Sequence, residues 1–479
     1  MRLDECPAGS RKASVAQHFD ALARSIDRWR RRNRYYHDDQ IKHLRYLIGA
    51  RSRVLVLGCG TGDLLNALDP QVGIGVDLSA SVIAVAREKY PRFQFVVGDA
   101  DRIEEVLPEQ AFDFIVLPDM VGYLDDVQRC LDSLHRYCHA GTRVVLSYHN
   151  FLWQPVLRFG ETIGLKMPTP ELSWLSLRDL CSILHLSDFE VVKTDRRLLL
   201  PKYIPLVSWL INNFATLPGI NAMCLSQFVV ARSLKVKVPV TQSVTIVIPC
   251  RNERGNIEEA ISRMPAFGSS KEIIFVDGHS TDGTCEEIER VARTYPNHAI
   301  RTLHQTGKGK GDAVRLGFAE AKGDVLMILD ADLTVPPEDL PRFHEAITSG
   351  KAEFVNGCRL IYPMEDEAMR LLNLVGNKFF AWAFSWLIGQ PLKDTLCGTK
   401  VIRKSDYEAL AANRAYFGDF DPFGDFDLLF GASKLNLRIL EVPVRYRARK
   451  YGETKIHRFR HGWLLLRMVV FAFRKLKAA

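Results

Sequence analysis

Apolar strand-like runs alternate with helical patterns twice along this chain, and that double alternation constrains the fold most. Strands joined by helices bury both faces of a parallel sheet, and the chain carries too many of them for one sheet. The pattern predicts strands at Val54–Leu57, Val72–Val76, Phe93–Val97, Phe114–Leu117 and Val144–Tyr148. A second set follows at Val244–Pro249, Glu272–Val276, Val325–Leu329 and Phe354–Gly357. Between the sets lies Lys235-Val-Lys-Val-Pro-Val-Thr-Gln-Ser243, polar and proline-containing. The expected layout is therefore a first α/β domain over 1–235, a linker over 236–243, a second α/β domain over 244–457 and a tail from 458 to 479. A length of 479 residues accommodates this, at roughly 150 residues per domain. The halves share no motif, so the chain reads as a fusion and not a duplication.

In the first half, the strand at Val54–Leu57 runs into Gly58-Cys-Gly60-Thr-Gly62-Asp63, then into a helical pattern. Glycines at such a turn let a ligand approach the backbone, and a helix N-terminus offers free N–H groups. Position 63 is Asp where the dinucleotide fingerprint needs glycine, which disfavours NAD. The second strand ends in Asp77, placed for a ribose diol, and the third ends in Gly98-Asp99-Ala100. Taken in order, and with Phe112-Asp-Phe-Ile-Val-Leu-Pro-Asp119 as a fourth-strand motif, these segments resemble class I S-adenosylmethionine-dependent methyltransferases, over roughly residues 15–150. The resemblance implies a Rossmann-like fold with S-adenosylmethionine as cofactor. Gly58, Gly60 and Gly62 would face its methionine part, Asp77 its ribose and Asp99 its adenine. No motif names the methyl acceptor. Tyr35-Tyr-His37 and Tyr148-His-Asn150 either line such a pocket or simply pack, and residues 151–232 are expected to cap its acceptor side.

In the second half, Val244-Thr-Ile-Val-Ile-Pro-Cys-Arg-Asn-Glu253 is a buried strand entering a polar loop. Asp277-Gly-His-Ser-Thr-Asp-Gly-Thr284, Gly307-Lys-Gly-Lys-Gly311 and Asp330-Ala-Asp332 follow in order. The Lys-Gly segment lacks the Ser/Thr of a P-loop. Two carboxylates at a sheet edge are hard ligands suited to Mg²⁺ or Mn²⁺ on a diphosphate, or else a pair of turn aspartates. The ordered set resembles family 2 glycosyltransferases of the GT-A fold, over about residues 242–460. That resemblance implies that Pro249, Glu253, Asp277, Lys308 and Asp330 hold a UDP- or GDP-linked sugar, and that Asp332, with Asp330, takes the metal. Asn356-Gly-Cys-Arg359, Arg370, Asp394, Glu441-Val-Pro-Val-Arg-Tyr446 and Arg449-Lys-Tyr-Gly-Glu-Thr-Lys455 look closer still to the polyprenyl-phosphate sugar transferases. Arg359, Arg370, Arg449 and Lys455 would then hold phosphates. Asp332, Asp394 and Asp427 are the candidate catalytic carboxylates. A lipid phosphate needs no general base, whereas a sugar hydroxyl does, and Asp427 keeps a hydroxyl of a lipid-linked glycan open as the acceptor. The alternative for the first domain is a cofactor-binding or structural module.

The formal charge of +8 is uneven. Eleven Lys/Arg stand against two acids from Glu441 onward, and eleven against six in the first 50 residues. Basic ends on a near-neutral body predict an anionic partner. Arg460, Arg467 and Arg474 recur every seven residues among Trp463, Leu464, Leu466, Val470 and Phe471. That is the pattern of an amphipathic helix on a membrane surface, or of one docked on its own domain or on a second subunit. No nucleic-acid fold is visible, so nucleic acid is not expected as a partner. Met1–Ser10 lacks an apolar core and no run reaches about 18 apolar residues, so neither a signal peptide nor a membrane span is expected. Ten scattered cysteines without Cys-x-x-Cys spacing read as reduced thiols, not a zinc site. The expectation is a cytoplasmic enzyme bound peripherally to the membrane.

Overall fold

Val54, Leu55, Val56 and Leu57 are fully buried on both faces of a strand, which places them in the centre of a covered parallel sheet. The computed structural model describes residues 11–236, 242–362, 371–416, 424, 426–447, 449, 451 and 458–477. The chain forms two compact units that divide between Lys237 and Val238.

The first unit has seven strands: β1 (Arg53–Leu57), β2 (Val72–Asp77), β3 (Gln94–Val97), β4 (Phe112–Pro118), β5 (Cys138–His149), β6 (Phe189–Arg197) and β7 (Ser226–Ser233). Their order is β3-β2-β1-β4-β5-β7-β6. β1 to β5 pair in parallel, and β7 runs antiparallel to both β5 and β6. Strand order reverses between β1 and β4, the switch point beyond whose carboxyl ends an open α/β sheet receives ligands. The expected cap over 151–232 is thus partly sheet. β6 and β7 supply two strands, and the helices Gln154–Thr162 and Val207–Ala215 lie in the same segment.

The second unit also has seven strands: β8 (Val244–Cys250), β9 (Lys271–Asp277), β10 (Ala299–His304), β11 (Val325–Ile328), β12 (Phe354–Cys358), β13 (Lys400–Arg403) and β14 (Ile439–Pro443). The order is β10-β9-β8-β11-β13-β12-β14, with β13 antiparallel between β11 and β12. Its core joins Ile246, Ile248, Phe275, Met327 and Phe343.

The basic tail is a helix, Arg458–Leu476, but its apolar face is divided. Leu465, Met468, Ala472 and Leu476 are buried, and Phe473 stacks on Trp386 of the helix Leu371–Ile388 at 5.7 Å. Trp463, Leu466 and Val470 remain exposed. The helix docks on its own domain along one stripe, so it does not lie on a bilayer by its whole apolar side. Among the described residues no helix is long and apolar enough to cross a membrane, and the nine described cysteines are free thiols.

Candidate functional site

In the first unit the β1 turn, the ends of β2 and β4 and the N-terminal helices enclose a cavity of about 560 Å³, within the range of small-molecule sites. Gly58 and Gly60 line it at φ +70° and +54°. A Cβ on Gly60 would meet nothing within 4 Å, whereas one on Gly58 would lie 2.8 Å from Met120 Cβ. Gly62 does not line the cavity; its φ of +82°, and the 2.8 Å that a Cβ there would leave to Phe95, show that it serves the packing behind the turn. Asp77 closes β2 with Oδ2 accepting from the Gly60 amide at 2.9 Å and Oδ1 from that of Ser79 at 3.1 Å. Burial raises its pKa, against the pull of those amides.

Asp99 also lines the cavity, but Lys12, from the helix Arg11–Leu22, bridges it to Asp101. This pairing spans 87 residues of sequence and could not be read from the motif. Deeper in, the Tyr36 hydroxyl donates to Asp119 at 2.5 Å, Gln40 donates to the same oxygen at 2.7 Å, and Ser147 donates to Oδ1 at 2.8 Å. His149 Nε2 lies 3.0 Å from the Tyr36 oxygen. Because the single phenolic proton serves Asp119, His149 presents Nε2–H to the phenol and keeps Nδ1 unprotonated. Burial lowers the His149 pKa, and burial together with Arg30 brings His37 down to about 4, so both rings are neutral at neutral pH. Of the two aromatic–histidine trios, Tyr36, His37 and His149 line the cavity. The Tyr148 hydroxyl instead donates to the Ser173 carbonyl, and Asn150 caps a short helix.

In the second unit the Arg449 guanidinium joins two expected site residues, reaching Asp332 Oδ2 at 2.5 Å and Glu253 Oε1 at 3.9 Å. Thr334 holds the other Asp332 oxygen through its amide and hydroxyl. Asp330 pairs with Lys310 at 2.8 Å. Burial would raise its pKa, but Lys310, Lys400 and Arg359 outweigh it and hold the carboxyl below its usual range. Gly398 makes room for the pair: a Cβ there would fall 1.8 Å from Asp330 Oδ2. Arg359 grips Asp394 through Nε at 2.7 Å and Nη2 at 2.8 Å, and its backbone amide donates to the same carboxylate. Asp427 takes the Arg414 guanidinium at 3.2 Å.

Residues 28–194 match the family model described as methyltransferase domain, and residues 245–411 match that of glycosyl transferase family 2. The first unit thus matches a methyltransferase-domain model and the second a family 2 glycosyltransferase model. The glycosyltransferase half is 31% identical over 233 residues to the dolichol-phosphate mannosyltransferase of Pyrococcus furiosus, an alignment covering 44% of this chain and 59% of that one. It is 27% identical over 220 residues to the undecaprenyl-phosphate 4-deoxy-4-formamido-L-arabinose transferase of Edwardsiella ictaluri, covering 45% and 63%. The chain thus spans about three fifths of the length of these relatives. A solved methyltransferase of Thermotoga maritima, described as a possible histamine N-methyltransferase, aligns at 19% identity, covering 46% of this chain and 99% of that one at a TM-score of 0.36.

The glycosyltransferase residues expected from sequence gather unevenly. Glu253, Asp332 and Arg449 form one cluster. Asp330 forms another with Lys310, the second lysine of its loop, while Lys308 is exposed. Pro249 is half-buried within β8. Asp277 is tied to its own loop by the amides of His279 at 3.1 Å and Ser280 at 3.3 Å. It also joins Cys285 and His304 in the one described trio with metal-ligand spacing. Burial and Asp277 push the Cys285 thiol up to about 11, so it stays protonated and is a poor ligand. Arg370 and Lys455 lie outside the described residues.

Proposed function

We propose that the chain is a bifunctional enzyme. Its first domain transfers a methyl group from S-adenosylmethionine. Its second transfers a sugar from a nucleotide sugar to a polyprenyl phosphate. The cavity fits the cofactor: Gly60 leaves the space a side chain would fill, Asp77 and Asp99 offer acceptors, and Phe19, Trp29 and Tyr123 give aromatic walls suited to a sulfonium. When bound, that group supplies the electrophilic methyl carbon; the chain's task is to orient it, exclude water and hold the acceptor.

For sugar transfer, Glu253 and Asp277 would hold the nucleoside, and Lys310 and Arg449 would sit against the diphosphate. Asp332, with hard carboxylate oxygens and Asp330 two residues earlier, would hold Mg²⁺ or Mn²⁺, which when bound neutralises the departing diphosphate. An acceptor phosphate oxygen then bonds to the anomeric carbon as the bond to the nucleoside diphosphate breaks. The observation that carries a phosphate acceptor is that, among the described residues, the two candidate carboxylates for a general base are tied to guanidinium groups, Asp394 to Arg359 and Asp427 to Arg414. The names of the polyprenyl-phosphate relatives support the same acceptor. Exposed Phe379, Trp382, Trp463, Leu466 and Val470 support peripheral attachment to the cytoplasmic face of a membrane, where such an acceptor is found.

The test is a pair of variants assayed for transfer to a short polyprenyl phosphate. Asp332→Asn should lower transfer by about 100-fold or more, and Asp427→Asn should leave most of it. Transfer to the lipid phosphate that is abolished by Asp427→Asn, or that the wild-type chain does not perform at all, would overturn the phosphate-acceptor reading.

A further inference from the structure

We propose that the methyltransferase domain carries its own membrane-docking face beside the mouth of its cavity, so that its methyl acceptor is a lipid or lipid-linked glycan presented by an anionic bilayer. This rests on the methyltransferase reading above and adds the class of acceptor. The helix Val207–Ala215 and the residue before it turn Leu206 (83% exposed), Trp209 (68%) and Phe214 outward. The helix Gln154–Thr162 and the residue after it add Val156, Phe159 (64%) and Ile163. These last three also line the cavity, so the exposed apolar surface continues into the pocket.

Exposed apolar side chains of this size, concentrated on two neighbouring segments of the chain, mark a contact surface. Its charge says what makes the contact. From Leu198 to Leu225 there is no acid, and the only charged residue is Lys202. Lys202 donates to Asn33 Oδ1 at 2.6 Å, and Tyr203 packs on Tyr35 at 5.7 Å between ring centres. These contacts bring up the basic helix Ile26–Arg32, where Arg28, Arg31 and Arg32 are exposed. Exposed apolar side chains, Trp and Tyr among them, beside a helix of exposed arginines match acyl chains, interface and anionic headgroups in turn. A second copy fits less well, because a two-fold contact through this face would set one arginine rim against the other. In the transfer itself an acceptor nucleophile would gain the methyl as the S–CH₃ bond breaks. The electron pair goes to sulfur and the acceptor's proton to a cavity base or water.

Hydrogen exchange read by mass spectrometry on the full chain separates this face from the C-terminal helix. Phosphatidylcholine vesicles containing phosphatidylglycerol should slow exchange in peptides spanning 151–165 and 203–214 by about tenfold, and phosphatidylcholine alone should not. Leu206→Glu/Trp209→Glu should remove that protection and keep wild-type affinity for S-adenosylmethionine, which also shows that the variant is folded. Exchange in these peptides unchanged by vesicles would overturn the proposal. So would protection that needs no vesicles and grows with protein concentration, the sign of a second copy. Absence of S-adenosylmethionine binding in the wild-type chain would sink the methyltransferase reading instead, and the vesicle result would still stand.

Discussion

Asp77 accepts two backbone amides while facing the cavity, so an asparagine there keeps its shape and loses charge-assisted acceptance. Asp77→Asn should weaken S-adenosylmethionine binding about tenfold, or about 1.4 kcal/mol, by calorimetry. Unchanged affinity would remove Asp77 from the cofactor site. Asp394 poses the opposite question, because a base and a clamp respond differently to the same change. Held bidentately by Arg359 and 2% exposed, it is a clamp. Asp394→Asn should lower the unfolding free energy of the second domain by about 3 kcal/mol; loss of transfer with unaltered stability would restore it as a base. The glycine turn, Asp77 and the Asp-Ala-Asp segment were legible in the sequence because each lies on one short stretch after a strand. The partners were not. Lys12 with Asp99, Arg359 with Asp394 and Arg414 with Asp427 come from segments that only the fold brings together. The choice of Lys310 over Lys308 depends on Gly309, whose φ of +88° opens the helix at Lys310.

At the scale of elements, the central parallel strands were readable as apolar runs, and five strands were missed. β6, Phe-Glu-Val-Val-Lys-Thr-Asp-Arg-Arg, and β7, with Ser, Gln and Arg among its buried residues, look polar. Their charges are neutralised across the fold, Arg197 by Asp39 at 3.1 Å and Arg232 by Glu190 at 2.7 Å. β10 is half-exposed along its length, β13 is four residues long and starts with a buried Lys400, and β14 carries Glu441 beneath the amides of Lys393 and Asp394. The tail helix was read as amphipathic, and its heptad of arginines did not reveal that half its apolar stripe was already occupied. Met468→Ala should therefore destabilise the second domain by about 2 kcal/mol or more, measured by denaturant unfolding, because it empties a buried contact. Trp463→Ser should cost little stability and weaken vesicle binding in a flotation assay. The reverse pattern would mean that the helix is not docked.

For the whole molecule, two sheets of different topology and two unrelated sites share one chain, and its positive charge is concentrated at both ends. Exposed apolar side chains occur near each basic region, at Leu206 and Trp209 in the methyltransferase domain and at Trp463 and Val470 in the glycosyltransferase domain. An anionic lipid-bearing surface is the partner proposed for both. The second domain is proposed to glycosylate a lipid phosphate, and nucleotide release reads out that reaction itself. The full chain with Mn²⁺ would be given a panel of UDP- and GDP-sugars, with and without a short polyprenyl phosphate. One donor should release its nucleoside diphosphate at least tenfold faster when the lipid phosphate is present, with sugar appearing on the lipid. Donors that bind yet are never consumed, with or without the lipid phosphate, would contradict that claim.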